Sequence, residues 1–97
     1  MPYIAEVNRN QVDQAINRLV DILGENRTPD ELLAVAGILN YTISRLITEV
    51  SGDVSYGKCA VLTGVLENVK QEYYRRAAAP YEDLKIEENG DIRGYRK

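Results

Sequence analysis

Apolar residues recur every three or four positions through three stretches of the chain, and each stretch predicts a helix. In the first, Val12, Ala15, Ile16, Leu19, Val20 and Leu23 form one stripe. Asn8 is placed to cap it, with Gln11 three residues on, and Val7 and Val12 stand where a hydrophobic staple would form. Gly24 follows as a stop, so the helix is expected over residues 8–23. The second stretch opens on Thr28-Pro29-Asp30-Glu31, a capping Thr with Pro at the first helical position and Glu two places later. Leu32, Leu33, Val35, Ala36, Leu39, Ile43, Leu46, Ile47 and Val50 then run to Gly52. A helix over residues 29–50 would be about 33 Å long. Gly37 lies within it, and a glycine there suggests close approach of another group.

The third stretch carries Cys59, Leu62, Leu66, Val69, Tyr73 and Ala77, with Ser55 as a cap. It predicts a helix over residues 56–79, stopped by Pro80. No strand alternation is seen before residue 80. Beyond it the signals change: Asn89-Gly90 is a strong hairpin turn signal, and Leu84–Glu87 and Asp91–Arg93 could flank it as short strands. The expected fold is therefore all-α: a three-helix antiparallel bundle in one domain, 1–97, with a turn-rich tail or β-hairpin over residues 80–97. Long helices in so short a chain bury limited apolar area, so self-association into a homo-oligomer is expected.

Composition narrows the chemistry. The 97 residues are 44% hydrophobic and 28% charged, which suits a globular chain. His, Trp and Phe are absent and there is one Cys. No Ser/His/Asp triad, Cys/His pair or His-ligated zinc can be built. A single Cys makes no internal disulfide, which points to a reducing compartment. The start, Met1-Pro2-Tyr3-Ile4, has no basic or apolar leader character, and no apolar run is long enough for a membrane span. No P-loop or dinucleotide fingerprint is present, and no cofactor or metal is expected.

The net charge of -3 is unevenly spread. Residues 1–54 hold four Arg against eight acids; residues 81–97 hold four bases against five acids. Residues 55–80 have Lys58, Lys70, Arg75 and Arg76 against Glu67 and Glu72, and are the one net-basic stretch. An acidic chain of this kind is not expected to bind duplex nucleic acid or an anionic membrane.

The basic stretch contains the candidate site, Lys70, Tyr73, Tyr74, Arg75 and Arg76. Tyrosine offers a flat face and a hydroxyl, and arginine a fork matched to phosphate. Together they suit a small anionic aromatic ligand, although a helix end with bases complementing the macrodipole would look the same. Asn40 and Tyr41, mid-helix in the second stretch, could line such a site from a neighbouring helix, or Asn40 could fix packing register. The tail acids Glu82, Asp83, Glu87, Glu88 and Asp91 match no EF-hand spacing and read as a solvated surface. Cys59 reads as a buried small hydrophobe.

Three stretches carry a resemblance: 37–46, GILNYTISRL; 64–76, GVLENVKQEYYRR; and 79–91, APYEDLKIEENGD. The Met-Pro-Tyr-Ile start is similar too. Together they resemble a family of small uncharacterised proteins of phages and prophage-bearing bacteria. Leu84 departs from the lysine expected at that place in the last stretch. The resemblance implies a phage origin and a cytoplasmic setting in the host; it brings no catalytic residues. Viral proteins that sequester nucleotide immune signals are compact homo-oligomers with ligands held between protomers. By that analogy the chain is expected to be a non-enzymatic binder of a nucleotide second messenger, of the cyclic oligonucleotide or cyclic ADP-ribose kind. The rival expectation is an accessory protein that docks on a host or phage protein without a small-molecule ligand. An enzyme using tail carboxylates and a divalent metal ranks third.

Overall fold

The structure, a computed structural model, describes residues 4–96. The Met1-Pro2-Tyr3 start and Lys97 lie outside the described residues. The chain is all-α, as the periodicity predicts: α1 (Asn10–Leu23), α2 (Pro29–Ser51), α3 (Tyr56–Tyr73) and α4 (Ala79–Asn89). A π-helical turn, Tyr74–Ala78, joins α3 to α4, and 3-10 turns cover Glu6–Asn8 and Arg93–Tyr95. No strand occurs among the described residues. No helix of the described residues is long and apolar enough to cross a membrane. The chain divides into two units, residues 4–58 and 59–96.

In the first unit, the expected start of α1 is corrected. Residues Glu6–Asn8 turn as a 3-10 helix, in which the Asn8 amide donates to the Ala5 carbonyl at 2.9 Å. That moves the N-cap to Arg9, which makes no side-chain cap bond, and leaves Val7 86% exposed. The Asn8/Gln11 box and its staple do not form. The Thr28 box does. The Glu31 amide donates to Thr28 Oγ1 at 3.3 Å and the Thr28 amide donates to Glu31 Oε1 at 3.1 Å, with Pro29 filling a position that needs no amide. The Thr28 amide, then the Thr28 hydroxyl, hold the Glu31 carboxyl below its ordinary pKa, with Arg27 adding to them. Gly24 and Gly52 end α1 and α2 at φ of 88° and 62°, where an L side chain is strained. The Lys58 ammonium donates to the Ser51 and Asp53 carbonyls at 2.8 and 2.9 Å, satisfying acceptors at the C-terminal end of α2. Ser55 caps α3, accepting from the Lys58 amide at 3.2 Å.

Gly37 has no heavy atom of the described residues within 4 Å of where a Cβ would stand. The expected close approach is absent, and Gly37 simply lies on the open side of α2. No side chain of either unit is buried. Leu19, Val20 and Leu23 of α1, and Val35, Thr42 and Ile47 of α2, reach only half-burial.

In the second unit the tail is corrected more deeply. Pro80 does not stop the helix: Ala79 and Ala78 before it are both helical, and α4 continues to Asn89. Gly90, at φ 85°, is the C-terminal stop of α4, not the corner of a hairpin. Asn-Gly serves both purposes, because both need positive φ at the glycine. What decides here is Leu84-Lys85-Ile86-Glu87-Glu88, a run of residues that favours helix over strand. Beyond it the Ile92 amide donates to Asp91 Oδ1 at 2.7 Å, and a single 3-10 turn follows. Cys59 is exposed, not buried.

Candidate functional site

Proline within a helix removes an amide and presses on the carbonyl one turn back. The chain meets this with the π turn. The Ala79 amide donates to the Tyr74 carbonyl, five residues back, so the turn before Pro80 is widened by one residue. This widened turn carries Tyr74, Arg75 and Arg76, three of the residues singled out by sequence. Wide turns of this kind recur at functional segments.

The turn also sets which side chains meet. In an uninterrupted α-helix, residues eight apart stand about 80° apart; one inserted residue takes out about 100° and leaves them about 20° apart. Tyr74 and Glu82 are eight apart, and Glu82 is the group that acts most on Tyr74: its hydrogen bonding, then its charge, raises the Tyr74 hydroxyl above its ordinary pKa, with desolvation and Asp83 adding to it. The phenol is therefore held as a neutral donor.

The cations are gathered by Glu72. Its Oε1 accepts from Arg75 Nη2 at 2.9 Å and from Arg76 Nη1 at 3.4 Å. The shared carboxylate holds both forks at the same end of α3 while their side chains stay 69% and 61% exposed. Lys70 is 3.8 Å from Glu67 and more exposed still. Surface pairs like these contribute at most about 1 kcal/mol each, so they orient the cations without locking them. The Tyr73 and Tyr74 rings are 70% and 56% exposed. Asn40 and Tyr41 belong to the other unit, on α2, where Asn40 Oδ1 accepts from Ser44 Oγ at 3.3 Å and Tyr41 is exposed.

Beside this segment, α4 and the final turn enclose a groove of about 500 Å³ lined by Tyr74, Tyr81, Lys85, Ile86, Ile92 and Tyr95. Lys85 Nζ stands 5.5 Å from the centre of the Tyr81 ring. Sequence reading missed this groove because it treated the tail as hairpin. It also missed Glu72 as the organiser, although Glu at three and four residues before Arg is a readable signal. The Glu82 partnership had no such signal, since it depends on the inserted residue. Among the described residues no three Cys, Asp or Glu side chains gather as a metal site would need, and the tail acids instead include a Lys85–Glu88 pair at 3.0 Å.

A family model for a domain of unknown function, DUF6899, matches residues 1–92. The chain belongs to this family. No curated protein matches it. No solved structure matches it either.

Proposed function

We propose that this protein is a non-enzymatic, self-associating binder that sequesters a nucleotide second messenger in the cytoplasm of a phage-infected bacterium. The ligand would be of the cyclic oligonucleotide or cyclic ADP-ribose kind. The observation that carries the reading is the end of α3: two exposed tyrosine rings beside two exposed guanidinium forks that one carboxylate holds together. Tyr73 and Tyr74 supply stacking faces for bases. Arg75, Arg76 and Lys70 supply donors for phosphates, and the forks reach a bound phosphate by leaving or sharing Glu72. The likeness of three stretches to phage and prophage proteins supports the setting.

Sequestration needs no turnover, so the ligand leaves with unchanged mass. The test is native mass spectrometry and thermal unfolding with a panel of cyclic dinucleotides, cyclic trinucleotides and cyclic ADP-ribose isomers. A true ligand at a hundred times its Kd raises stability by about 2.7 kcal/mol. Arg76→Ala or Lys70→Ala, folded by circular dichroism, loses that gain. Full retention of affinity in both variants removes the site, and a panel without any binder removes the nucleotide reading in favour of docking on a protein.

A further inference from the structure

The apolar face of α2 has a stricter pattern than a general amphipathic stripe. Leu32, Ala36, Leu39, Ile43, Leu46 and Val50 are spaced four, three, four, three and four apart. This is a heptad register with Leu32, Leu39 and Leu46 at d and Ala36, Ile43 and Val50 at a. The assignment is not arbitrary. Leucine fills every d position, and the two large a residues are both β-branched. In a parallel pair of identical helices each a residue meets its own counterpart, as does each d residue, and β-branched a with leucine d is the combination that two strands favour.

Three further observations agree. The seam is open: its large residues are exposed, from 40% at Leu39 to 77% at Val50, and no side chain of residues 4–58 is buried. Its flanks carry little charge. Positions e and g are Leu33, Asn40, Ile47, Val35, Thr42 and Glu49, so two copies approach without facing rows of like charge. Finally, Arg45 and Thr48 hold outer positions, c and f: Thr48 Oγ1 donates to the Arg45 carbonyl at 3.1 Å, and Arg45 reaches the flanking Glu49 at 3.8 Å. Gly37 is also at an outer position, which agrees with the open space around it.

We infer that the α2 seam is the contact through which two copies of this chain associate, side by side and in parallel. The inference rests on the self-association in the functional reading and names its surface. One consequence bears on the ligand: Asn40, at an e position, borders the seam and remains able to line a site between copies, whereas Tyr41, at an outer f position, points away from it.

The test uses the full chain with Cys59 replaced by Ser, because Cys59 is exposed and would cross-link on its own account. Native mass spectrometry of this chain gives an even-numbered oligomer. Val50→Cys then oxidises to a covalent dimer, since the two copies of an a position face each other. In an antiparallel pair about Tyr41 the two Val50 positions would stand roughly 27 Å apart. Thr48→Cys, on the outer face of the same turn, stays reduced. Cross-linking of both, or of neither within an intact oligomer, overturns the seam and leaves self-association standing. A monomer at every concentration overturns both. Ligand binding is measured separately and is not touched by the cross-linking result.

Discussion

Pro29 opens α2, whereas Pro80 lies inside the helical run from α3 into α4, and the difference is set by the residues around each. Thr28 before Pro29 is extended, at ψ 164°, the geometry a residue before proline prefers. Its hydroxyl and Glu31 then satisfy the helix start. Ala79 before Pro80 is helical, at ψ -47°, against that preference. No capping side chain stands at this point; Ala77, Ala78 and Ala79 precede the proline and are strong helix formers. The chain keeps the helix and widens one turn instead. A proline thus acts as a boundary only where something nearby can cap the helix it begins.

Removing Pro80 is the largest perturbation of this contrast. Pro80→Ala restores an amide and lets the π turn relax to α. Unfolding of the helix, followed by circular dichroism, should then require about 1–3 kcal/mol more. The same change turns Tyr74 away from Glu82, so Tyr74 should ionise closer to ordinary tyrosine. NMR titration of the ring carbons, assigned with Tyr74→Phe, reads this out. The sign in the parent chain is fixed by the raised pKa. The Tyr74–Glu82 contribution is whole below the ordinary tyrosine range and is lost as pH rises through the folded value. A Tyr74 that keeps its raised pKa in Pro80→Ala would show that the π turn is not what aligns the pair.

Gly90 and Gly24 end α4 and α1 in backbone regions that only glycine occupies comfortably, at φ 85° and 88°. Gly90→Ala should cost about 1–3 kcal/mol through this strain. Gly24→Ala should cost at least as much, because its Cβ would also meet the Arg27 side chain at 2.5 Å. That side chain must give up its bond to the Leu23 carbonyl to move. Equal stability of Gly90→Ala and the parent would return Asn89-Gly90 to the hairpin reading.

The start of α2 is worth less. Thr28→Ala should cost about 1 kcal/mol by loss of the capping bond. Glu31 adds a pH dependence of known sign. Its pKa is lowered on folding, so its contribution is present above the ordinary glutamate range and is lost as pH falls through the folded value. Acid titration of helix content should therefore show a loss in the parent chain that Thr28→Ala keeps in part, through its backbone amide, and that Glu31→Gln lacks.

These cases mark what was legible in the sequence. The three main helices were, because their stripes and the Thr28 and Ser55 caps are local. The start of α1 was misplaced since Asn8 can serve either as a cap or within a 3-10 turn, and the Ala5–Asn8 bond decides. The tail was less legible, because Pro80 and Asn89-Gly90 each carry two meanings, and the alanines before Pro80 and the helix-favouring run 84–88 decide between them. At the candidate site the residue types and their clustering were visible, and so was the spacing that lets Glu72 hold Arg75 and Arg76. The Tyr74–Glu82 pair was hidden, because no periodicity rule anticipates an inserted residue.

The smallest effect is also the one that separates two mid-helix glycines from those that end helices at positive φ. Gly37 and Gly64 have negative φ and open space where a Cβ would stand among the described residues. Alanine at either place should stabilise its helix by about 0.5–1 kcal/mol, through lower backbone entropy in the unfolded chain. At Gly37 the result sharpens the α2 seam as well. Position b faces away from a parallel partner, so Gly37→Ala should raise the melting temperature without changing the oligomer seen by native mass spectrometry. Loss of the oligomer in Gly37→Ala would mean that a second helix rests on this side of α2. The contact would then run through the small residues near Gly37 and not through Leu39, Ile43 and Leu46.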